Sequence, residues 1–263
     1  MTMMASLNSR SRIWIKQPLA IYTANQLDAS NGLVIENNKI IEVLAKDQQP
    51  SLPCDNIFDA NDLVVIPGLV NSHHHFYQTL TRAWAPVVNL PLFPWLVNLY
   101  PVWARLNPEQ LHVATQVALA ELLLSGCTFA ADHHYLFPQQ LTDAIDIQVN
   151  AAQQLGMRVM LTRGSMSLGQ EQGGLPPQHT VQSMEVILRD SERLVQTYHQ
   201  RGDNGMVILL WLHAPPFRSH RRLCEKARNL PRHWMFDCIH TLPKPWMRKA
   251  FVWKSLVCVR WII

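Results

Sequence analysis

Val65-Ile66-Pro67-Gly68-Leu69-Val70-Asn71-Ser72-His73-His74-His75 is the stretch on which the reading of the fold depends. Leu63 to Val70 is an apolar run broken only by Pro67-Gly68, the pattern of a strand that leaves one sheet to enter another buried on both faces. The run ends directly in three histidines. In extended backbone, residues two apart share a side, so His73 and His75 project together and His74 points away. Two imidazoles placed this way suit a divalent ion of the zinc type. A bare His-x-His can equally be a pair of surface or core histidines, but the Pro67-to-Asn71 lead-in counts against that reading.

Upstream, residues 13–65 read as short strands and turns. Leu33–Glu36 and Lys39–Leu44 form a hairpin about Asn37-Asn38, because Asn tolerates the positive φ of a tight turn. Downstream, strands alternate with helices. Asn107 caps a helix with Pro108 at its first position, Leu111, Thr115, Ala118 and Leu122 form its apolar stripe, and Gly126 ends it. Strand Cys127–Asp132, a helix from about Gln139 to Leu155, strand Met157–Thr162, a helix from about Val181 to Tyr198 and strand Met206–Leu210 follow. Such alternation implies parallel strands with crossover helices, in either an open doubly wound sheet or part of a (β/α)₈ barrel.

Other candidate site residues cluster after these strands. Asp132-His133-His134-Tyr135 ends the second strand and would face the same mouth as His73 and His75, as a substrate contact or as ordinary loop residues. Gln78 and Arg82 lie one helical turn apart; Gln78 could read an amide-like edge of a heterocycle, or the two could be a surface pair. The aromatic segment Trp84 to Trp103 reads as core rather than ligand cage, and Glu121 as a solvated position rather than a catalytic acid. No P-loop, G-x-G-x-x-G or G-x-S-x-G occurs, which removes nucleotide-phosphate and nucleophile-elbow chemistry. The H-x-E and P-C-x-x-C pattern of the other zinc deaminases is also absent.

The 263 residues are 48% apolar and 16% charged, which excludes a disulfide-stapled miniprotein and a highly charged disordered chain. No stretch approaches the ~20 apolar residues of a membrane span, and Met1 to Lys16 lacks the apolar segment of a secretory signal, so a cytoplasmic protein without a membrane partner is expected. Five cysteines at irregular spacings argue against a disulfide framework. The net charge of +4 conceals a division: residues 1–210 hold 12 Lys and Arg against 17 Asp and Glu, whereas 211–263 hold 11 against 2. All 10 glycines lie at or before Gly205, and five of the nine tryptophans fall in the last 53 residues.

The run Val65 to Arg82, with Leu92-Phe93-Pro94-Trp95-Leu96 and Asp132 to Pro138, resembles the amidohydrolase superfamily, within it the 8-oxoguanine and hydroxyatrazine aminohydrolases. The likeness covers about residues 10–207. It implies an α/β fold in which residues 1–65 form a small β-sandwich and residues 66–210 the N-terminal half of a (β/α)₈ TIM barrel. It implies hydrolytic release of ammonia or an amine from a purine or triazine ring, with guanine or triazine hydrolysis as alternatives to 8-oxoguanine. By the same resemblance His73 and His75 bind one divalent ion, of which zinc is the expected kind. Gln78, His133, His134 and Tyr135 would line the pocket of a small heterocyclic substrate, and the intact family would form a homodimer.

The chain departs from the family further on. The resemblance calls for a third histidine, an acid/base pair and a later aspartate, and none of those motifs is present. A complete barrel takes about 250 residues, yet only about 145 separate Ile66 from Leu210. Triplets built from the third base of one codon and the first two of the next suggest the reason. Trp234-Met235 then forces Asp, Met235-Phe236 Val, Phe236-Asp237 Arg unless a stop, and Asp237-Cys238 Leu, while Cys238 to Thr241 permits His-Thr-His. Asp-Val-Arg-Leu-His-Thr-His resembles the family's fifth-strand metal motif. Residues from about 208 onward are therefore expected to be an out-of-frame translation, with 211–263 as its tail. The catalytic acid/base residues would be lost, and the metal would be held weakly by two imidazoles. The basic charge needs no nucleic-acid partner on this account; the alternative is a non-enzymatic remnant whose tail binds nucleic acid. His213, His220, His233, His240, Cys224 and Cys238 match no zinc-ligand spacing.

Overall fold

The computed structural model describes residues 11–22, 28–199 and 206–211. The tail expectation and its histidines and cysteines lie outside the described residues. Two compact units divide between Pro67 and Gly68.

In the first, β1 (Arg12–Lys16) turns Trp14 inward, where the indole N–H donates to the Asn31 carbonyl at 2.9 Å. β1 pairs antiparallel with β3 (Gly32–Glu36) and parallel with β5 (Asn56–Asp59), and β3 pairs with β4 (Lys39–Leu44), for an order β4-β3-β1-β5. The expected hairpin is present, with Asn37 at φ 56° in its turn. Trp14, Val34 and Leu44 form a small core. β2 (Ala20–Ile21) and β6 (Val64–Val65) form a separate two-stranded parallel sheet.

In the second unit, Leu69 restarts extended structure just past Pro67-Gly68. β7 (Leu69–His74), β8 (Cys127–His134), β9 (Arg158–Arg163) and β10 (Val207–Trp211) are all parallel, in the order β10-β9-β8-β7. Neighbours in the sheet are neighbours in the chain, with no reversal of order. That is the arrangement of consecutive barrel staves, whereas a doubly wound sheet reverses at a switch point. Among the described residues β7 and β10 are the outer strands, and Leu69 and Val70 on β7 are exposed.

The helices begin where local chemistry permits. α2 (Pro108–Leu124) opens on a capping box: Asn107 Oδ1 accepts from the Gln110 amide at 2.9 Å, and the Gln110 side chain accepts from the Asn107 amide at 3.1 Å. α3 (Ala144–Leu155) starts later than the expected Gln139, because Pro138 to Leu141 closes a turn instead, and it ends on Gly156 at φ 68°. α4 (Met184–Tyr198) also starts late: a 3₁₀ turn covers Gln178–Thr180, and the Ser183 hydroxyl then accepts from the Val186 amide. α1 (Leu92–Trp103) is a helix where the sequence reading assigned only aromatic core. Pro94 falls in its first turn, where no N–H bond is lost, and Pro101 lies near its end.

α1 nonetheless serves the core as expected. Leu96, Leu99, Tyr100 and Trp103 are buried with Phe76, Tyr77, Leu111, Leu119, Leu136, Leu141, Ile145 and Met157. Each fully buried large side chain contributes roughly 1.5–3 kcal/mol of transfer free energy. Among the described residues no helix is long and apolar enough to cross a membrane, and Cys54 and Cys127 are free thiols.

Candidate metal centre

The C-terminal ends of β7 and β8 bring the histidines together. The His73 and His75 rings lie 5.1 Å apart, His73 and His133 4.2 Å, and His75 and His133 5.8 Å. His74 turns the other way, to 5.1 Å from Phe76, as alternation requires. His75 Nδ1–H donates to the His133 carbonyl at 2.8 Å. That bond places the ring proton on Nδ1 and the lone pair on Nε2, the arrangement a metal-ligating imidazole needs.

The rest of the expected pocket is only partly assembled. Tyr135 stands beside the cluster, 5.5 Å from the His75 ring. His134, one step along β8 from His133, faces the interior instead. It is fully buried against Tyr77 and Phe137 and donates from Nε2 to the Leu136 carbonyl at 2.7 Å. Gln78 belongs to a 3₁₀ turn over Phe76–Thr81 and donates to the Tyr77 hydroxyl at 3.2 Å. It also borders a cavity of about 310 Å³ with Arg82, Trp84, Asn89 and Trp95. Glu121 is half exposed and pairs with Arg82 at 2.7 Å, a surface role as expected.

Burial dominates the electrostatics. It lowers His73, and it holds His133 down at about 3, helped by the neighbouring His73. Burial likewise holds His134 at about 3. These rings are neutral at pH 7, the form that can ligate a metal. Asp132, fully buried, is pushed up to about 7 by desolvation, against the lowering effect of the Phe76 amide and the Gln148 side chain. From sequence Asp132 belongs to a cluster expected to face the mouth as a substrate contact or as ordinary loop residues; the structure instead buries its carboxyl, which accepts from the Phe76 amide and the Gln148 side chain.

These shifts predict how stability follows pH. On unfolding below pH 6.5, His133 and His134 return toward their ordinary 6.5 and take up two protons, while Asp132 returns toward 3.8 and gives one up. The net uptake of about one proton makes the chain lose roughly 1 kcal/mol per pH unit as pH falls from about 6.5 to 4.5. Urea midpoints measured at pH 7, 5.5 and 4.5 should decline in that order; a midpoint that rises toward acid would contradict the burial of both rings.

As a metal site this donor set is partial. His73 and His75, with rings 5.1 Å apart, could supply two imidazole donors to a divalent ion. Among the described residues no group of three or more His, Cys, Asp or Glu is placed to hold an ion.

The comparisons with known proteins agree with this geometry. Residues 64–228 match the Amidohydrolase family. The chain belongs to that family, whose fold the sequential β7-to-β10 sheet represents in part. It is 67% identical over 207 residues to the 8-oxoguanine deaminase of Pseudomonas aeruginosa, a match covering 79% of this chain and 46% of that protein. It is 32% identical over 180 residues to the hydroxydechloroatrazine ethylaminohydrolase of Pseudomonas sp. strain ADP, covering 67% of this chain and 37% of that one. Among solved structures, the atrazine chlorohydrolase of Arthrobacter aurescens TC1 complexed with zinc superposes with a TM-score of 0.72 at 26% identity, covering 82% of this chain and 50% of that one. The resemblance read from Val65 to Pro138 is thus borne out. The chain spans half or less of the length of these relatives.

Proposed function

We propose that this chain carries the first half of a metal-dependent aminohydrolase acting on a purine-like heterocycle, 8-oxoguanine before guanine or a triazine. The observation that carries the reading is the 67% identity to an 8-oxoguanine deaminase across the segment that contains the His73/His75 pair. The reaction replaces the exocyclic amine of the ring by oxygen: water adds to the ring carbon bearing the amine, and the amine leaves as ammonia, giving urate from 8-oxoguanine. When bound, a divalent ion, zinc by analogy, would lower the pKa of a water so that it can attack near neutral pH. His73 and His75 would hold it in this half of the site. Gln78 reads the heterocycle from the wall of the cavity that it shares with Arg82 and Trp84, and His133 and Tyr135 stand beside the His73/His75 pair. His134 is given a structural place, since its ring is packed between Tyr77 and Phe137.

The remaining ligands and the acid/base residues belong to a segment that the sequence from about residue 208 onward does not encode in frame. The N-terminal sheets are assigned to the family's β-sandwich, the protein to the cytoplasm, and the intact enzyme to a homodimer. Resequencing the gene through the codons for Met206 to Trp211 and past those for Ile263 tests the frame. Assay of the resulting protein on 8-oxoguanine, guanine and hydroxyatrazine tests the substrate. An intact frame as written together with turnover of any of these by the present chain would refute the proposal, and a preference for guanine or hydroxyatrazine would move the substrate to the alternative.

A further inference from the structure

Three observations meet at Asp132. Its Oδ1 accepts from the Phe76 backbone amide at 2.6 Å, and its Oδ2 accepts from Gln148 Nε2, also at 2.6 Å. The carboxylate thus spans from α3, through β8, to the residue that follows His75. The β7–β8 ladder is irregular at that place: its register shifts between Asn71 and His74 and stops at the His74–Asp132 pair. His75 itself, at φ −133° and ψ 86°, has begun to leave the strand. Regular strand pairing therefore does not hold the peptide that joins His75 to Phe76, and the Asp132 side chain does.

We propose that Asp132, braced by Gln148, is a positioning residue for His75. By pinning the Phe76 amide it sets the orientation of the His75 peptide, and so aims the imidazole that donates to the His133 carbonyl. The bond from the Phe76 amide fixes the backbone on the C-terminal side of His75, and the Nδ1 bond fixes its ring; both partners are supplied by the two consecutive β8 residues Asp132 and His133. The role of His75 as a metal ligand rests on the function proposed above, but the positioning is measurable without metal.

Substitution chemistry separates positioning from bulk stability. In Asp132→Asn the side-chain oxygen still accepts from Phe76, and the new amide donates to Gln148 Oε1, which has no hydrogen-bond partner in the structure, once the Gln148 amide turns over. Asp132→Ala removes both bonds. Thr162→Val cuts a different tie, the Thr162 hydroxyl to the Asp132 carbonyl at 2.9 Å, and leaves the carboxylate alone.

The experiment records histidine side-chain ¹H–¹⁵N spectra of the full chain and these variants at pH 7.5, first without metal and then through a Zn²⁺ titration. His75 should be the Nδ1–H tautomer in the parent and in Asp132→Asn, and a mixture of tautomers in Asp132→Ala. Zn²⁺ affinity should stay within about threefold in Asp132→Asn and fall about 10- to 100-fold in Asp132→Ala, the usual cost of losing an outer partner of a ligand. Thr162→Val should melt earlier with the tautomer unchanged. An unchanged His75 tautomer in Asp132→Ala overturns the proposal, as does loss of the tautomer in Thr162→Val. If Asp132→Ala does not fold, Gln148→Leu decides: tautomer mixing supports the brace, and a parent-like spectrum overturns it. A tautomer that depends on Asp132 supports the positioning whether or not the parent responds to Zn²⁺, and the metal reading is tested separately by the zinc content of the frame-corrected protein and its His75→Ala variant.

Discussion

If the frame breaks after about residue 208 as proposed, restoring it should give a protein that releases ammonia from 8-oxoguanine, whereas the chain as written should show no measurable turnover. Replacing His73 or His75 by Ala in the corrected protein should then remove at least about three orders of magnitude of kcat/KM. The first half follows from the donors that the described residues supply. The proposed pair His73 and His75 is two imidazoles, half of a four-coordinate set, and among the described residues no group of three or more such donors is placed to hold an ion. The second half follows from charge: a divalent ion supplies several kcal/mol of transition-state stabilisation together with the nucleophile, and about 4 kcal/mol corresponds to a thousandfold in rate. Steady-state ammonia release, with zinc content measured on the same samples, checks both. Full activity in a His75→Ala protein that still carries stoichiometric zinc would end the assignment.

Trp103→Ala should cost about 3–5 kcal/mol of unfolding free energy, the usual price of deleting a buried aromatic side chain. Trp103 is fully buried at the end of α1, edge-on to Tyr77 at 5.2 Å and to Trp95 at 5.1 Å. Its indole N–H also donates to the Thr81 hydroxyl at 3.0 Å, so it ties α1 to the turn that carries Gln78. A typical domain holds about 5–15 kcal/mol in total, so the substitution should remove a large share of the second unit's stability. Trp103→Phe keeps most of the buried area and should lose only the hydrogen bond and part of the packing, about 1–2 kcal/mol. Urea titrations of the three proteins give the order directly; equal midpoints for parent and Trp103→Ala would show that α1 is not part of the core.

Much of this was legible in the residues. Strand period, the Asn107-Pro108 cap and Gly156 identified three strand-and-helix steps, because caps and turns are local chemistry that a short window contains. Alternation separated His74 from His73 and His75 for the same reason. α1 was not legible, since Pro94 and Pro101 read as breakers until their places, in the first turn and near the end, are known. The starts of α3 and α4 were misplaced by competing turns, Pro138 to Leu141 and Gln178 to Thr180, which close on their own i→i+3 backbone bonds ahead of each helix.

The sequence by itself determined the family, the parallel alternation of the second unit and the His73/His75 pair, because each is carried by contiguous residues and by short-range backbone geometry. Only the tertiary structure decided that the strands follow one another in sequential order, that His134 packs in the core while the His133 ring lies beside those of His73 and His75, and that Asp132 reaches the Phe76 amide. Those outcomes depend on which side chains meet across strands and helices as far as 58 residues apart, and burial, which sets their charge as well as their partners, exists only after that meeting.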